Sequence, residues 1–219
     1  MLHEKTNLKK ILIAVAKGRI LDEALNLLKD VGVKVSDSEM KSRKLKIKTN
    51  RANVDLLVVR AADVPTYVDY GAADIGITGK DVLLESDTDG YYEPLDLKIS
   101  KCRLCAAGLN KTRPDLPVLR VATKYPRVAN NYYQGIGIQA EIITLYGSME
   151  LAPIVGLADE IVDLVDTGKT LKANNLSVID DIKDISSRLI VNKASLKVKP
   201  FEINDIIDAL QILIKGKDG

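Results

Sequence analysis

Short apolar runs alternate along the chain with segments whose apolar residues recur at helical spacing. The first run, ILIAVA at 11–16, is continuously apolar, which is typical of a strand buried on both faces. Apolar residues then recur every three or four positions from Ile20 to Val31, and Gly32 follows as a helix C-cap. The same alternation predicts strands at 54–59, 74–79, 103–107, 118–123, 140–145, 160–165 and 187–192, and helices over 63–71, 80–86, 126–134 and 203–216 and from 148.

This order of elements defines the expected fold class. Alternating strands and helices are typical of α/β proteins with mainly parallel sheets. A polar break, SDTDGYYEP at 86–94, separates two such blocks and predicts a domain boundary. Two blocks, with the chain returning at its end, indicate two lobes with a cleft between them. Because ligands of open α/β sheets bind at the carboxyl ends of the strands, the loops there are the candidate site.

Composition narrows the function classes. The chain has 219 residues with 32 basic and 30 acidic side chains, a net charge of +2, which disfavours a dedicated nucleic-acid binder. No apolar run approaches the roughly 20 residues that span a bilayer. The first apolar run has only six residues and ends in Lys-Gly-Arg, so we predict a buried strand rather than a signal peptide, and a cytoplasmic protein.

The cysteines and the single histidine exclude some chemistry. Cys102 and Cys105 form a C-x-x-C pair, but no second pair accompanies it. On a strand, positions i and i+3 point to opposite faces, so we expect neither a zinc nor a redox site. His3, the only histidine, lies in a polar N-terminal tail, which disfavours Ser-His-Asp or Cys-His catalysis.

Two strand ends carry glycines beside charged residues. Lys17, Gly18 and Arg19 follow the first strand at the start of a helix, which permits a phosphate site but is equally typical of surface charge. Gly79 closes the strand at 74–79 in GITGKD, where close approach to a ligand and simple turn formation explain the glycines about equally well.

The stretch IVDLVDTGKTLKANN, 161–175, carries the strongest signal. Thr-Gly-Lys-Thr resembles half of a P-loop, but Asp163 stands where the first glycine would be, which disfavours a nucleoside triphosphatase. Backbone amides and two hydroxyls at 167–170 form a cup for a monophosphate, and Asp163 and Asp166 suit ribose hydroxyls or Mg²⁺. Glu150, in GSMELAP, is either a capping-box acid or a functional carboxylate.

Residues 146–176, YGSMELAPIVGLADEIVDLVDTGKTLKANNL, resemble the signature of the ATP phosphoribosyltransferase family, which catalyses the first step of histidine biosynthesis. AKGRI at 16–20, the segment 59–83, CRL at 102–104 and VATKYP at 121–126 also match, so the resemblance covers nearly the whole chain in order. The signature positions are Glu150, Gly156 to Asp159, Asp163, Thr167, Gly168, Thr170 and Leu171.

The resemblance implies a reaction and a set of site residues. N1 of ATP displaces pyrophosphate from phosphoribosyl pyrophosphate (PRPP), with Mg²⁺ as cofactor and without a protein nucleophile. The implied catalytic residues are Arg19, Arg43 and Asp163. The role of Arg60 stays open, with a structural role as one alternative, and Arg51 is not assigned. The implied PRPP-binding residues are Asp163, Asp166, Thr167, Gly168, Lys169, Thr170 and Glu150, and the ATP-binding residues are Lys17, Gly18, Arg19 and Gly79.

The resemblance also implies an architecture and partners. The fold would be like that of two-lobed periplasmic binding proteins, with 1–90 plus 179–219 as the first lobe and 91–178 as the second. The length is similar to that of short family members, which are catalytic subunits. The implied partner is a regulatory subunit similar to a histidyl-tRNA synthetase catalytic core, bound to a homodimer within a hetero-oligomer.

Two other functions remain open from the residues alone. A two-lobed binding protein would use the same cleft for a small solute, but it would need no acids beside a phosphate cup and would usually be exported. A nucleobase-salvage phosphoribosyltransferase would usually carry adjacent acids in its PRPP motif, whereas Asp163 and Asp166 are separated by two other residues.

Overall fold

The computed structural model describes residues 8–42 and 44–217, so that His3 and Arg43 lie outside the described residues. The strands confirm every predicted strand to within about two residues and add three. In chain order they are β1 (Ile11–Ala16), β2 (Lys46–Lys48), β3 (Val54–Val59), β4 (Ile75–Gly79), β5 (Tyr91–Asp96), β6 (Cys102–Gly108), β7 (Leu119–Thr123), β8 (Ala140–Thr144), β9 (Glu160–Val165), β10 (Ser177–Ile185) and β11 (Ser187–Asn192).

The helices follow the predicted order, but the one expected from position 148 is a single turn. No helix of the described ranges is both long and apolar enough for a membrane crossing. In chain order they are α1 (Arg19–Asp30), α2 (Asp37–Lys41), α3 (Val64–Asp69), α4 (Lys80–Glu85), α5 (Pro126–Gly135), α6 (Leu151–Ile154), α7 (Lys169–Ala173), α8 (Lys193–Val198) and α9 (Pro200–Lys217).

The chain divides into two compact units: unit 1 comprises Met1–Ser100 and Ser186–Gly219, and unit 2 comprises Lys101–Ile185. The predicted second lobe, 91–178, differs at both ends. β5 pairs with β11 and therefore belongs to the sheet of unit 1, whereas β10 pairs with β6 in unit 2. The polar break predicted as a boundary thus runs into a strand.

Each unit contains one mixed sheet, so the expectation of mainly parallel sheets was wrong. The strand order is β2-β3-β1-β4-β11-β5 in unit 1 and β10-β6-β9-β7-β8 in unit 2. β1 pairs in parallel with β3 and β4, and β7 with β8 and β9; the other five pairings in the described chain are antiparallel. The antiparallel pairs arise chiefly because β11 inserts between β4 and β5, and because β6 runs against both of its neighbours, β9 and β10.

The core of unit 1 lies around β1, the central parallel strand. Ile13 and Val15 are fully buried there. α1 contributes Leu28, and α9 covers the sheet with Ile203, Ile206, Leu210 and Ile214. The apolar stripe of α9 is therefore used for packing within its own unit.

Unit 2 buries a charged group beside its apolar core. Glu160, at the start of β9, has no solvent exposure, and a buried carboxylate is tolerated only when paired. Arg113 Nε donates to Glu160 Oε1 at 2.9 Å, and Arg113 Nη2 donates to Asp180 Oδ2 at 2.8 Å. Tyr133 donates its hydroxyl to Glu160 Oε2 at 2.6 Å. This cluster ties the loop before β7 to α5, β9 and β10.

Candidate active site

The predicted phosphate loop joins β9 to α7. Gly168 is the N-cap of α7 and adopts the left-handed conformation, with φ 72° and ψ 4°. Any other residue is disfavoured there because its Cβ would crowd the carbonyl, which explains the glycine. The first amides of a helix have no acceptor within the helix, so the turn presents backbone donors at Lys169 and beyond.

A cavity of about 300 Å³ in unit 2 brings most of the predicted PRPP-binding residues together. Asp166, Thr167, Lys169 and Thr170 are exposed at its wall. Polar side chains and backbone from one strand-end loop therefore surround a space large enough for a phosphate group. The lining residues include Glu150, Asp163, Asp166, Thr167, Gly168, Lys169 and Thr170.

Glu150 belongs to this cavity although it lies 13 residues before Asp163 in the sequence. It occupies the N-cap position of α6, but its side chain makes no capping hydrogen bond there. The preceding Ser148 has φ 52° and so turns the chain sharply. The structure therefore places Glu150 with the phosphate loop and offers no hydrogen bond to support a capping role.

Asp163 lies half-buried on β9 and is held in place by two neighbours. Its Oδ1 accepts a hydrogen bond from the backbone N–H of Leu164 at 2.8 Å. Lys124 Nζ lies 3.9 Å from the same oxygen. Lys124 follows β7, which pairs with β9, so the strand-end rule that selected the phosphate loop also points to this lysine. Sequence reasoning matched VATKYP but did not assign Lys124.

The exit of β7 is fixed by a buried hydroxyl. Thr123 Oγ1 donates to the carbonyl of Val162 at 2.7 Å and accepts from the N–H of Tyr125 at 2.9 Å. Lys124 Nζ lies 4.8 Å from the centroid of the Tyr125 ring. These contacts hold the lysine near Asp163 while leaving it partly exposed.

In unit 1, the predicted nucleotide residues lie at the ends of β1 and β4. Lys17, Gly18 and Arg19 are exposed, and Gly18 has φ 90° and ψ −149°, a region essentially restricted to glycine. Gly79 is buried, and a Cβ there would lie 2.1 Å from Asp81 Oδ1. Packing against Asp81 therefore explains the glycine at 79 without a ligand.

The remaining arginines of the sequence analysis differ in what they contact. Arg51, which sequence reasoning left unassigned, donates to Asp205 on α9 at 2.6 Å and thus fastens that helix. Arg60 is exposed before a 3₁₀ turn at Ala61–Asp63. Arg43, an expected catalytic cation, lies outside the described residues.

The cysteines form no disulfide, and both lie on β6. Cys105 is buried and donates its thiol to Asp181 Oδ1 at 3.1 Å. Burial, together with Asp181, raises the pKa of Cys105 to about 12, so the thiol stays protonated at neutral pH. Across 8–42 and 44–217 there is no cluster of three or more His, Cys, Asp or Glu side chains suited to hold a metal ion.

Two units, each with helices packed on a mixed sheet, define an α/β protein of periplasmic-binding-protein-like fold. The YtmK protein of Bacillus subtilis, described as a probable amino-acid ABC transporter extracellular-binding protein, has this fold at a TM-score of 0.59 and 13% identity, covering 95% of this chain and 94% of its own. At this identity the likeness shows the fold alone.

The family is shown by closer relatives. Residues 60–212 match the HisG family, described as ATP phosphoribosyltransferase. The ATP phosphoribosyltransferase of Marinobacter nauticus is 56% identical over 207 residues, 94% of this chain and 97% of that protein. The ATP phosphoribosyl transferase (HisG:HisZ) complex of Thermotoga maritima contains a chain with a TM-score of 0.79 and 36% identity, covering 94% of this chain and 99% of that one.

The chain belongs to the ATP phosphoribosyltransferase (HisG) family. It is therefore a pentosyltransferase of the first step of histidine biosynthesis, as the resemblance implied. Family membership decides against both alternatives, the solute-binding protein and the nucleobase-salvage enzyme.

Proposed function

We propose that the cavity of unit 2 is the PRPP site of this ATP phosphoribosyltransferase. The observation that carries the proposal is the convergence of Glu150, Asp163 and the loop 166–170 on one cavity of about 300 Å³. In the reaction, N1 of the adenine forms a bond to C1 of the ribose as the bond from C1 to the pyrophosphate oxygen breaks. No protein nucleophile takes part.

The loop 166–170 would hold the 5′-phosphate. The Gly168 turn presents backbone N–H groups, and Thr167 and Thr170 add hydroxyl donors to the same wall. Lys169 is exposed there and supplies positive charge. Preorganised donors of this kind bind an oxyanion without further rearrangement.

Asp163 and Glu150 would accept hydrogen bonds from the ribose hydroxyls. Carboxylates near the sugar also favour the positive charge that develops at C1 when pyrophosphate departs. Lys124, 3.9 Å from Asp163, would hold that carboxylate in its orientation. Asp166 is exposed at the start of the loop 166–170 and is assigned to the 5′-phosphate end of PRPP.

ATP and the departing pyrophosphate are assigned to unit 1. Lys17 and Arg19 are exposed cations at the end of β1, and Gly18 allows the chain to turn between them. Gly79, at the end of β4, is assigned to ATP binding. Arg43 is proposed as a second catalytic cation on the basis of the family resemblance. These residues would neutralise anionic oxygens and position the nucleotide.

The family's reaction uses a divalent metal, and we propose Mg²⁺. The described residues do not form a protein cage for it, which fits an ion that keeps several waters and binds substrate phosphates. Asp163, Asp166 and Glu150 are the carboxylates on the cavity wall that would contact it. When bound, it would neutralise charge on the pyrophosphate.

We further propose a regulatory partner. The Thermotoga maritima neighbour is a HisG:HisZ complex, which supports an equivalent arrangement for this chain. The partner would be similar to a histidyl-tRNA synthetase catalytic core and would bind a homodimer of this chain. ATP and PRPP are intracellular metabolites, which supports a cytoplasmic location.

A product assay tests the function. The purified chain is incubated with ATP, PRPP, Mg²⁺ and pyrophosphatase. The nucleotides are then separated by chromatography and identified by mass spectrometry. Phosphoribosyl-ATP is the expected product, with the chain alone or after adding the regulatory subunit. A modified free base, or no product with either preparation, would overturn the proposal.

A further inference from the structure

One carboxylate of unit 1 joins the candidate nucleotide site to the segment where the chain leaves that unit. Glu23 lies one helical turn after Arg19 on α1, and its Oε1 is 3.7 Å from Arg19 Nε. Its other oxygen, Oε2, accepts a hydrogen bond from the backbone N–H of Ser100 at 2.7 Å. Ser100 is the last residue of unit 1 before β6 of unit 2.

The segment 98–100 is strained. Lys98 has φ 58° and Ser100 has φ 50°, and both are non-glycine residues in the left-handed region. Ser100 is buried, and its Oγ has no hydrogen-bond partner within the described structure. Such a conformation persists only where surrounding contacts over-determine it. The Glu23 hydrogen bond is one such contact, and the N–H of Ser187, which donates to the carbonyl of Ile99 at 2.9 Å, is another.

The same carboxylate thus has two partners of different kinds. The hydrogen bond from the Ser100 amide restrains the carboxylate of Glu23, because it holds Oε2 against a backbone segment whose own conformation is fixed by surrounding contacts. The restrained carboxylate then faces the Nε side of the Arg19 guanidinium. An ordinary i,i+4 surface pair lacks that anchor, and both of its side chains remain mobile.

We propose that Glu23 is a positioning residue for Arg19, which holds the guanidinium in the orientation needed for the anionic substrate. The inference rests on the proposed role of Arg19 and extends it. Arg19 lies exposed at the first turn of α1, and a long side chain of this type has many rotamers to be limited. Glu23 confines it before substrate arrives, so that less of the ordering is left to the binding step.

The test is a double-mutant cycle in the full chain, with kcat and KM measured for both substrates. Glu23→Ala is expected to lower kcat by about 10-fold, since misplacement of a catalytic group by about 1 Å can lower the rate by about 100-fold. In the Arg19→Ala background the same substitution should have no further effect, because there is no guanidinium left to position. Asp30→Ala is the matched control, because Asp30 is also on α1, exposed and paired with Lys217 at 3.2 Å.

A second readout separates positioning from structure. Amide exchange at Ser100 should be faster in Glu23→Ala, while Glu23→Gln, which keeps an acceptor oxygen, should retain protection and recover part of kcat. An equal kcat loss from Glu23→Ala with and without Arg19 would overturn the positioning role and leave Arg19 in place. Full activity of Arg19→Ala would instead overturn the proposed role of Arg19, and the positioning role with it.

Discussion

Tyr132 and Tyr133 are neighbours on α5, and each donates a 2.6 Å hydrogen bond from its hydroxyl to a carboxylate. The two acceptors differ in their access to water. Asp180, the acceptor for Tyr132, has a side chain that is 43% exposed, whereas Glu160, the acceptor for Tyr133, is fully buried. The same bond therefore has different consequences when it is removed.

We predict that Tyr133→Phe lowers the free energy of unfolding by about 1–3 kcal/mol, because Glu160 loses a donor that water cannot replace. Tyr132→Phe is the matched control and should lose clearly less, since Asp180 can be hydrated. Urea unfolding followed by circular dichroism measures both. Equal losses would contradict the importance of burial at Glu160.

Arg113→Met should be more severe. It leaves the carboxylate of Glu160 buried without its cation, and breaking such a pair destabilises by about 3–5 kcal/mol. Adding Glu160→Gln removes the unpaired charge, so the double variant should recover part of the loss. If Glu160→Gln instead adds its own loss in the Arg113→Met background, the ion pair is not what stabilises this cluster.

Acid should weaken unit 2 partly through Asp159. Hydrogen bonds from the Arg120 guanidinium at 2.8 Å and 3.2 Å lower the pKa of Asp159 below its usual value. Its ionised form therefore contributes stability that is complete above the unfolded-state pKa of about 3.9 and is lost as the pH falls through the lower folded pKa.

We expect the unfolding free energy of the native chain to fall more steeply between about pH 5 and pH 2 than that of Asp159→Asn. Urea titrations at each pH provide the measurement. Asp30→Asn, on the exposed end of α1, is the control and should follow the native profile. Parallel curves for the native chain and Asp159→Asn would refute the assignment.

The two thiols should differ in reactivity. The thiolate is the nucleophile, and Cys105 is buried with a pKa of about 12, whereas Cys102 is partly exposed. Iodoacetamide at pH 8 should therefore modify Cys102 and leave Cys105 unmodified until urea is added. Peptide mass spectrometry distinguishes the sites, and Cys102→Ser should abolish the reaction of the folded chain.

Two substitutions test the phosphate loop separately. Thr170→Ala removes one hydroxyl and should raise the dissociation constant for PRPP by roughly 10-fold, which corresponds to about 1.4 kcal/mol. Gly168→Ala should add a backbone strain of about 1–2 kcal/mol, because its φ of 72° suits glycine. Calorimetry gives the affinities. Thr144→Ala, at an exposed threonine on β8, should bind PRPP normally, and unchanged affinity in Thr170→Ala would remove that hydroxyl from the site.

Burial makes a strand easier to predict from the sequence, although β8, an edge strand with no buried residue, was predicted as well. β1 and β9 were predicted with the bounds that the structure has, because their central positions demand apolar side chains. The strands that were missed, β2, β5 and β10, all lie at sheet edges. An edge strand needs only backbone pairing on one side, so its side chains carry little apolar pattern. In β5, three consecutive residues, Tyr92 to Pro94, are exposed.

The residues of the candidate site also differ in whether the sequence could reveal them. The loop 166–170 is contiguous, so its glycine and hydroxyls could be found in the sequence. Lys124 comes near Asp163 because β7 pairs with β9. Glu150 reaches the cavity after the turn at Ser148. Local sequence patterns reveal neither of these contacts. Glu23 likewise contacts Ser100 across 77 residues of sequence.

The outer edge of β10 has a consequence for the chain at high concentration. Its pairing with β6 is interrupted by two register shifts, between Val178 and Asp180 and between Asp181 and Lys183. Asp180, Asp181, Lys183 and Asp184 place charge along the same strand. Bulges and charges of this kind make an edge a poor template for another strand. Unit 2 is thereby protected from edge-to-edge aggregation along β10, even though that strand is nine residues long and lies at the edge of its sheet.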